Sequence, residues 1–499
     1  MKKTLLYLIL FGTVLAVGCK DFLDLPPKNQ RAVTTLTDIK SVLAGYLDAH
    51  SRRATLPIVG PFPIIGERQT LMFEGYSDNF DFAANMSEYM STTNYYANYP
   101  SKELFYANTL LFNDTDTPDK IWTEYYQAIG FLNALIGQCD DLRDTDPQEL
   151  KRVKGEMLVH RAFYAFKLQQ YFAPLDDEAM GIPLYLHTGE EVIGVKMERL
   201  KQSEVYSIIL NDLTQALGFY EEAGPNQGYN QFFNSRFIQN LLAQVYWFKA
   251  ESSAKHVDDY KSARDYALAA VNGTDTYIPT TLAAFRDVQR NLNTEYPAFY
   301  TESYTYANVS AFYGTPLYYI AGFSPANLRV SSDLLDLFDA SDFRKEAFFE
   351  GDNLSALWPD GMDFGQRPLR VHLFTPEEAY LILAESYYRL NQPDLARTTL
   401  NHFKSLRGAV ERNDLTGAAI LTEIINERRK EFFTDTDKRW VDLKRYKLKT
   451  IQRAFRFFDK DYTVKVEPGD YHYALPIPLK ELQENPYIIP NGGWNPIVF

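Results

Sequence analysis

Residues 375–403, TPEEAYLILAESYYRLNQPDLARTTLNHF, are the stretch that decides the fold. Thr375 stands where a helix N-cap would be, Pro376 follows at the first helical position, and Glu378 occupies the third. This arrangement is a capping-box pattern with proline at N1, so it predicts that a helix begins at this point.

The apolar residues of the same stretch recur at helical spacing and are interrupted once, at Asn391-Gln392-Pro393. The apolar positions are Tyr380, Leu383, Ala384 and Tyr387 before the break, and Ala396, Leu400 and Phe403 after it, with Gly408 ending the pattern. Small alanines let two helices approach while large residues fill the space opposite, so the stretch predicts a tetratricopeptide-like helical hairpin.

Other parts of the chain repeat this pattern. A second copy combines residues 242–246 with alanines at 263, 267 and 270, a third begins near 161–165, and residues 201–220 are typical of a further amphipathic helix. Three copies in order predict a mainly α protein with a tetratricopeptide-like repeat scaffold, in which the repeats span roughly 120–272 and 375–450.

Two long segments, roughly 54–118 and 273–375, have weak periodicity and are rich in Tyr, Phe, Asn, Thr, Gly and Pro. Structureless stretches of this length inside a domain are usually ordered functional loops, so we expect the ligand contacts here. The candidate ligand-binding residues form two patches, Tyr95, Tyr96 and Tyr99 in the first segment and Tyr304, Tyr306 and Tyr313 in the second. Their rings could stack on sugars, or they could instead pack the loops onto the repeats.

The first residues, MKKTLLYLILFGTVLAVGCK, are typical of an export signal. Lys2 and Lys3 precede an apolar run that is too short to span a membrane, and small residues precede Cys19. This resembles the lipobox of bacterial lipoproteins, which predicts that residues 1–18 are removed, that Cys19 carries the lipid anchor, and that residues 19–30 form a tether. The alternative is a secreted protein with a chance cysteine at the cleavage site. Residues 31–499 are predicted to form one domain.

The net charge and the cysteine content restrict which molecules and surfaces the protein can bind. The formal net charge is −14, and loss of residues 1–18 with their two lysines would make it −16. So acidic a protein is a poor ligand for nucleic acid or for anionic lipid surfaces. With Cys19 lipidated only Cys139 remains, which excludes an internal disulfide. No later stretch is apolar for the length of a spanning helix, so the lipid is the only predicted attachment to a membrane.

Motifs for catalysis are missing from the sequence. It contains no His-Glu-x-x-His, no Gly-x-Ser-x-Gly elbow, no P-loop and no dinucleotide-binding glycine pattern, and it predicts neither a metal site nor a cofactor. The 65 acidic residues leave open a carboxylate pair placed as in a glycosidase.

Several motifs together carry a family resemblance. In chain order they are Cys19-Lys20-Asp21-Phe22-Leu23-Asp24-Leu25-Pro26-Pro27, residues 122–129 with Asn133, residues 161–172 with Gly181-Ile182-Pro183-Leu184, residues 426–432, residues 438–445, Leu475-Pro476-Ile477-Pro478, and Asn485-Pro486. This set resembles the SusD/RagB family of surface nutrient-binding lipoproteins of Bacteroidetes and spans nearly the whole chain. One departure is Thr434-Asp435-Thr436-Asp437, where many relatives have Glu-Gly.

The resemblance implies a binding protein on the outer face of the outer membrane that pairs with a TonB-dependent barrel of the SusC type and closes over it as a lid. Members bind oligosaccharides most often, and some, like RagB, bind peptides; no catalysis is attributed to the family. The alternatives that remain are peptide capture, a protein-interaction scaffold built on the repeats, and a glycosidase.

The charged C-terminal motifs favour an architectural role. Charges of alternating sign occur at Glu427, Arg428, Arg429, Glu431, Arg439 and Asp442, around a single Trp440. We expect a network of hydrogen-bonded ion pairs between adjoining helices, with the tryptophan as a packing anchor. The prolines of residues 475–478 predict a fixed extended segment.

Overall fold

Helices dominate the structure, as the sequence predicts. The structure is a computed structural model, and it describes residues 33–51, 72–81, 111–143, 145–187, 195–225, 233–289, 299–301, 330–350, 353–354, 369–371, 373–433, 435, 437–457 and 460–494. The helices are α1 (Leu36–Ser51), α2 (Asp116–Asp141), α3 (Pro147–Phe172), α4 (Gln202–Ala223), α5 (Ser235–Lys249), α6 (Asp259–Val271), α7 (Leu282–Gln289), α8 (Ser332–Leu335), α9 (Phe343–Phe348), α10 (Pro376–Arg389), α11 (Pro393–Leu406), α12 (Ala418–Glu431), α13 (Lys438–Tyr446) and α14 (Leu479–Glu484).

Short strands complete the architecture of the described residues. They are β1 (Phe299–Thr301), β2 (Phe349–Glu350), β3 (Asn353–Leu354), β4 (Leu369–Val371), β5 (Ile451–Phe457) and β6 (Lys460–Val466). They pair antiparallel as β1 with β4, β2 with β3, and β5 with β6. The segment 273–375, which the sequence suggests is irregular, therefore contains the short helices α7, α8 and α9 as well as four of these strands.

The predicted hairpins form the scaffold. Helices α10 and α11 pack together across a turn in which Asn391 takes the left-handed conformation, with φ 58°. Helices α5 and α6 form a second pair, α3 and α4 a third, and α6 packs against α10 so that neighbouring pairs share a seam. These contacts confirm the helical repeats predicted from the alanine spacing.

Small residues line the seams between these helices. The side chains of Ala243, Ala263, Ala267, Ala379, Ala384 and Ala396 have no exposed surface. Because a methyl group is all that separates the backbones at these positions, the facing helices approach closely, and a larger side chain would force them apart.

The start of α10 matches the sequence prediction only in part. Thr375 caps the helix, since its hydroxyl oxygen accepts a hydrogen bond from the backbone N–H of Glu378 at 3.4 Å. The carboxylate of Glu378, however, does not return to the cap, because it forms a buried ion pair with Lys438 on α13. The capping box is therefore half formed, and the glutamate instead connects two helices.

The C-terminal motifs form the predicted ion-pair network. Arg428 lies 3.1 Å from Asp442, which joins α12 to α13. From the same helix α12, Glu427 and Glu431 pair with Arg344 of α9, and Glu431 also pairs with Arg407 at 2.7 Å. All of these side chains are buried, so the network lies inside the protein.

Trp440 is a packing anchor, as expected. Its ring is 1% exposed and lies against Phe73 and Tyr473, with ring centroids 5.2 and 6.0 Å away. Residues 475–478 are buried and belong to no helix or strand, and the backbone N–H of Leu475 donates to the carbonyl of Tyr171 at 2.9 Å. The extended segment therefore crosses the core beside the tryptophan.

Cys139 is a free, buried thiol, and burial raises its pKa to about 12. Within the described residues, none of the helices combines the length and the apolar character needed to cross a bilayer.

Candidate functional site

The site residues predicted from the sequence lie outside the described residues. They are Cys19, Tyr95, Tyr96, Tyr99, Tyr304, Tyr306 and Tyr313. The structure instead describes where the chain enters and leaves the two tyrosine-bearing stretches, at residues 72–81 and 330–335. These two pieces meet at one place, which we call the loop junction: residues 74–80 together with 330–331.

The loop junction joins the two irregular segments by backbone pairing. Phe80 and Val330 form an antiparallel bridge, and the backbone N–H of Ser331 donates to the carbonyl of Asn79 at 2.9 Å. The Ser331 hydroxyl donates to the carbonyl of Asp78 at 2.8 Å. The chain that leads to the first tyrosine patch and the chain that returns from the second are thus fixed to each other.

Asp78 is the charged centre of the junction. Arg439 of α13 donates two hydrogen bonds to its carboxylate, from Nε to Oδ1 at 2.6 Å and from Nη2 to Oδ2 at 2.8 Å. The Nζ atom of Lys449 lies 2.8 Å from the same Oδ2. Burial alone would raise the pKa of Asp78, but the guanidinium of Arg439 and the charges of Arg429 and Lys449 hold it well below its usual range. The carboxylate therefore stays ionised.

Arg429 of α12 bonds to both segments at once. Its Nη2 donates to the Asp78 carbonyl at 2.7 Å and to the Ser331 hydroxyl at 3.1 Å, and its Nε donates to the Asn79 side chain at 3.2 Å. One buried guanidinium therefore donates hydrogen bonds to both loop ends. Its planar, rigid arrangement of N–H groups suits contacts to several acceptors at once.

Glu74 is buried within the junction and is held by neutral groups. Ser77 Oγ and Asn79 Nδ2 each donate to its carboxyl at 3.3 Å. Burial raises the pKa of Glu74 to about 8, which these hydrogen bonds only partly oppose. At neutral pH the side chain is therefore mostly protonated and uncharged.

A pocket of about 210 Å³ lies beside the junction. Asp78, Asp81, Lys449 and Gln452 contribute polar side chains to its lining, and Phe80 contributes an aromatic one. Acceptors, donors and one ring in so small a space suit a single hydroxyl-rich group better than an extended apolar ligand. Among the described residues no group of three or more His, Cys, Asp or Glu is placed to hold a metal.

The sequence analysis identified Arg429 and Arg439 but missed their partners, Asp78, Asn79 and Ser331. A signal was present: Glu74, Asp78 and Asp81 lie close together in an aromatic stretch, while residues 426–432 and 438–445 together hold seven Lys and Arg against three Asp and Glu. Buried charges need partners, so the excess of cations indicates acidic partners elsewhere in the chain.

The comparisons with known proteins agree with this architecture. Residues 21–246 match the family described as "Starch-binding associating with outer membrane", and residues 378–494 match the one described as "SusD family". Together these matches cover the N-terminal helices and the charged C-terminal motifs. This chain belongs to the SusD/RagB family. A search of curated proteins finds no match.

Solved structures share the fold at low sequence identity. A SusD superfamily protein from Bacteroides vulgatus has a TM-score of 0.67 at 19% identity, with 93% of this chain and 100% of that one covered. One from Bacteroides thetaiotaomicron has 0.64 at 21%, covering 92% and 100%. A SusD-like carbohydrate binding protein from Bacteroides vulgatus has 0.62 at 17%, covering 91% and 97%.

We expect Asp78→Asn to destabilise the protein by about 3–5 kcal/mol, because it leaves the buried guanidinium of Arg439 without its counter-charge. Urea denaturation followed by circular dichroism measures the loss. The control is Ser331→Ala, which keeps every charge of the junction and removes a hydroxyl that accepts from Arg429 and donates to the Asp78 carbonyl. It should cost about 1–2 kcal/mol. Equal losses for the two variants would contradict a charge-centred junction.

The variant Glu74→Gln tests whether the Glu74 carboxyl is protonated in the folded protein. Below pH 4.5, the ordinary pKa of glutamate, both the folded and the unfolded chain are protonated; as pH rises towards about 8 only the folded chain keeps the proton. The stability that neutral Glu74 contributes is therefore lost progressively over this range. We expect the melting temperature of Glu74→Gln to rise relative to the native protein between pH 5 and pH 8. A constant difference between the two proteins would show that Glu74 is ionised in the folded state.

Proposed function

We propose that this protein captures a saccharide at the bacterial outer membrane and delivers it to a TonB-dependent barrel of the SusC type, over which it acts as a lid. The observation that carries the proposal is membership of the SusD/RagB family across both halves of the chain, with the first half matching a family described as starch-binding and associated with the outer membrane. On this proposal the protein binds its ligand and does not cleave it.

The geometry of the loop junction supports capture at the irregular segments. A loop that becomes ordered around a ligand loses conformational entropy, and this loss weakens binding. Loops that are already fixed at their ends lose less and therefore bind more tightly. The junction ties together the ends of the two segments that carry the tyrosine patches, through Arg429 and the Phe80–Val330 bridge. We place the ligand between these patches, with aromatic rings stacking on the C–H faces of sugar rings.

Attachment to the membrane is the second part of the proposal. Cys19 carries the acyl chains, residues 19–30 form a hydrophilic tether, and the folded part faces the cell exterior. Several acyl chains on one cysteine hold a protein on a bilayer far longer than a single chain does, which suits a lid that must stay near its barrel.

Binding of a saccharide is measured by calorimetry of the mature chain against neutral α-glucan, β-glucan and xylan oligosaccharides, with tryptic peptides of casein as the peptide arm. We expect one saccharide class to bind, and the triple variant Tyr95→Ala, Tyr96→Ala, Tyr99→Ala to weaken it at least about tenfold. The second triple, at Tyr304, Tyr306 and Tyr313, is tested separately.

The control is the double variant Tyr387→Ala, Tyr388→Ala, which removes half-buried scaffold tyrosines on α10. It should bind as the native protein does. Binding of the peptides alone would replace saccharide capture with peptide capture, and release of shorter oligosaccharides during the incubation would indicate a glycosidase instead.

The lipid anchor is tested in the native host with an alkyne-tagged fatty acid and detergent phase separation. We expect the native chain to take up the label, to enter the detergent phase and to copurify a barrel protein after cross-linking. Cys19→Ala should lose the label and the detergent partition. Cys139→Ala is the matched control and should keep both, because that thiol is buried in the fold. A labelled Cys19→Ala would contradict the anchor.

A further inference from the structure

A second cavity, of about 550 Å³, is lined by described residues that all lie outside the two irregular segments. Its walls come from the loop that follows α3 at residues 174–180, from the end of α13 at Lys444 and Lys447, and from residues 469–474 and 491–492. We call it the C-terminal groove. Its volume falls within the range of about 300–1,000 Å³ that is typical of small-ligand sites.

The groove has a rigid aromatic wall. The Tyr471 ring is 42% exposed and stacks on His472, with ring centroids 3.9 Å apart, while Trp494 meets it edge-on at 5.6 Å. Gly493, with φ 88°, packs directly on the ring, since a Cβ at that position would come within 2.4 Å of the Tyr471 Cγ atom. The ring is thus fixed before any ligand arrives, which lowers the entropy lost on binding.

The polar lining of the groove is mainly acidic. Asp176, Asp177 and Asp470 line it, and Asp176 is paired with Lys447 at 2.7 Å. Asp470 accepts from the backbone N–H of His472 at 3.1 Å and lies 2.6 Å from its Nδ1 atom. Such carboxylates accept hydrogen bonds and repel anions, so the lining favours neutral ligands over phosphate or uronate groups.

Lys444 does not offset this acidity fully. Its ammonium group is 2% exposed and donates to the carbonyls of Gln170 and Ala173, at 2.6 and 2.7 Å. The same ammonium lies 5.3 Å from the centroid of the Trp440 ring. Burial lowers the pKa of Lys444 to about 7, with help from the nearby charge of Arg199.

We propose that the C-terminal groove is a second saccharide-binding subsite, built by the scaffold rather than by the irregular segments, and that it takes a neutral oligosaccharide. The groove offers both kinds of contact that a sugar needs. Its carboxylates accept hydrogen bonds from hydroxyl groups, and the exposed edge of Tyr471 with Pro174 and Leu175 can contact C–H faces. The inference rests on the proposed function, because it assigns further contacts to the same class of ligand.

Side-chain contacts connect the wall of the groove to the loop junction. His472 meets the Phe112 ring edge-on at 6.1 Å, and the guanidinium of Arg453 lies 4.5 Å from the centroid of that same ring. Arg453 in turn lines the junction pocket and donates to the carbonyl of Ser77 at 2.6 Å. The buried side chains of His472, Phe112 and Arg453 therefore link the aromatic wall of the groove to the lining of the junction pocket.

The test uses the full mature chain labelled with 5-fluorotryptophan, in which the Trp494 resonance is assigned from Trp494→Phe. The probes are maltose, maltoheptaose, cellohexaose, xylohexaose and tetralysine. We expect a hexamer or heptamer to shift the Trp494 resonance in the native chain and also in the Tyr95, Tyr96, Tyr99 alanine triple. The double variant Tyr471→Ala, Asp177→Asn should weaken binding of that oligosaccharide about tenfold.

The outcomes separate the two proposals. An oligosaccharide that binds the native chain by calorimetry but leaves both the Trp494 resonance and the affinity of the double variant unchanged overturns the groove and spares the proposed function. A shift with tetralysine alone makes the groove a site for cationic peptides and overturns the saccharide subsite. Failure of every saccharide to bind overturns both. The matched control is Tyr487→Phe, on another exposed tyrosine of the C-terminal region, which should bind as the native chain does.

Discussion

Cancellation of buried charge is the constraint on which the rest of the structure depends. Arg344, Arg407 and Arg428 are among the largest fully buried side chains, and moving each charge out of water costs several kcal/mol unless a partner offsets it. Glu427 and Glu431 supply much of that compensation, and although burial alone would raise the pKa of Glu427 and Glu431, the neighbouring cations hold both below the usual range. Helices α9, α11 and α12 can therefore meet in only one register.

A second buried carboxylate, Glu385, fixes the centre of the repeats. Arg445 of α13 donates to both of its oxygens, at 3.0 and 3.1 Å, and Tyr446 donates at 2.5 Å. Arg445 also lies 3.8 Å from the centroid of the Trp247 ring on α5. A hydrophobic pair of the same volume would hold these helices without choosing among rotations, whereas the hydrogen bonds from Arg445 Nη1 and from Tyr446 to Glu385 favour one arrangement. The network thus gives specificity as much as stability.

The sequence predicts the parts of this arrangement that are local. Helix starts, alanine seams and the turn at Asn391 follow from neighbouring residues, and the structure confirms them. The existence of an ion-pair network is predictable, because charges of both signs on helices that are otherwise apolar become buried and must pair. Its partners are not predictable, since Asp78 lies 361 residues from Arg439 and nothing in the spacing selects it. Glu378 gives a second example. Its position predicts a capping contact, but its carboxylate pairs with Lys438, which lies 60 residues further along the chain.

The same limit applies to the aromatic residues. Rings such as Tyr125, Tyr164 and Phe163 are buried in the core, so a high content of tyrosine and phenylalanine does not by itself mark a binding face. Tyr471 differs because Gly493 and Trp494 fix its ring while much of it stays exposed, a condition that only tertiary packing creates.

The buried charges also fix the ends of the two irregular segments. Asp78 and Ser331 are held by Arg429 and Arg439, which belong to the core network, so the loop ends are set by the energetics of the interior. The ends of the two irregular segments are therefore fixed by the same ion pairs that hold α12 and α13 in the core.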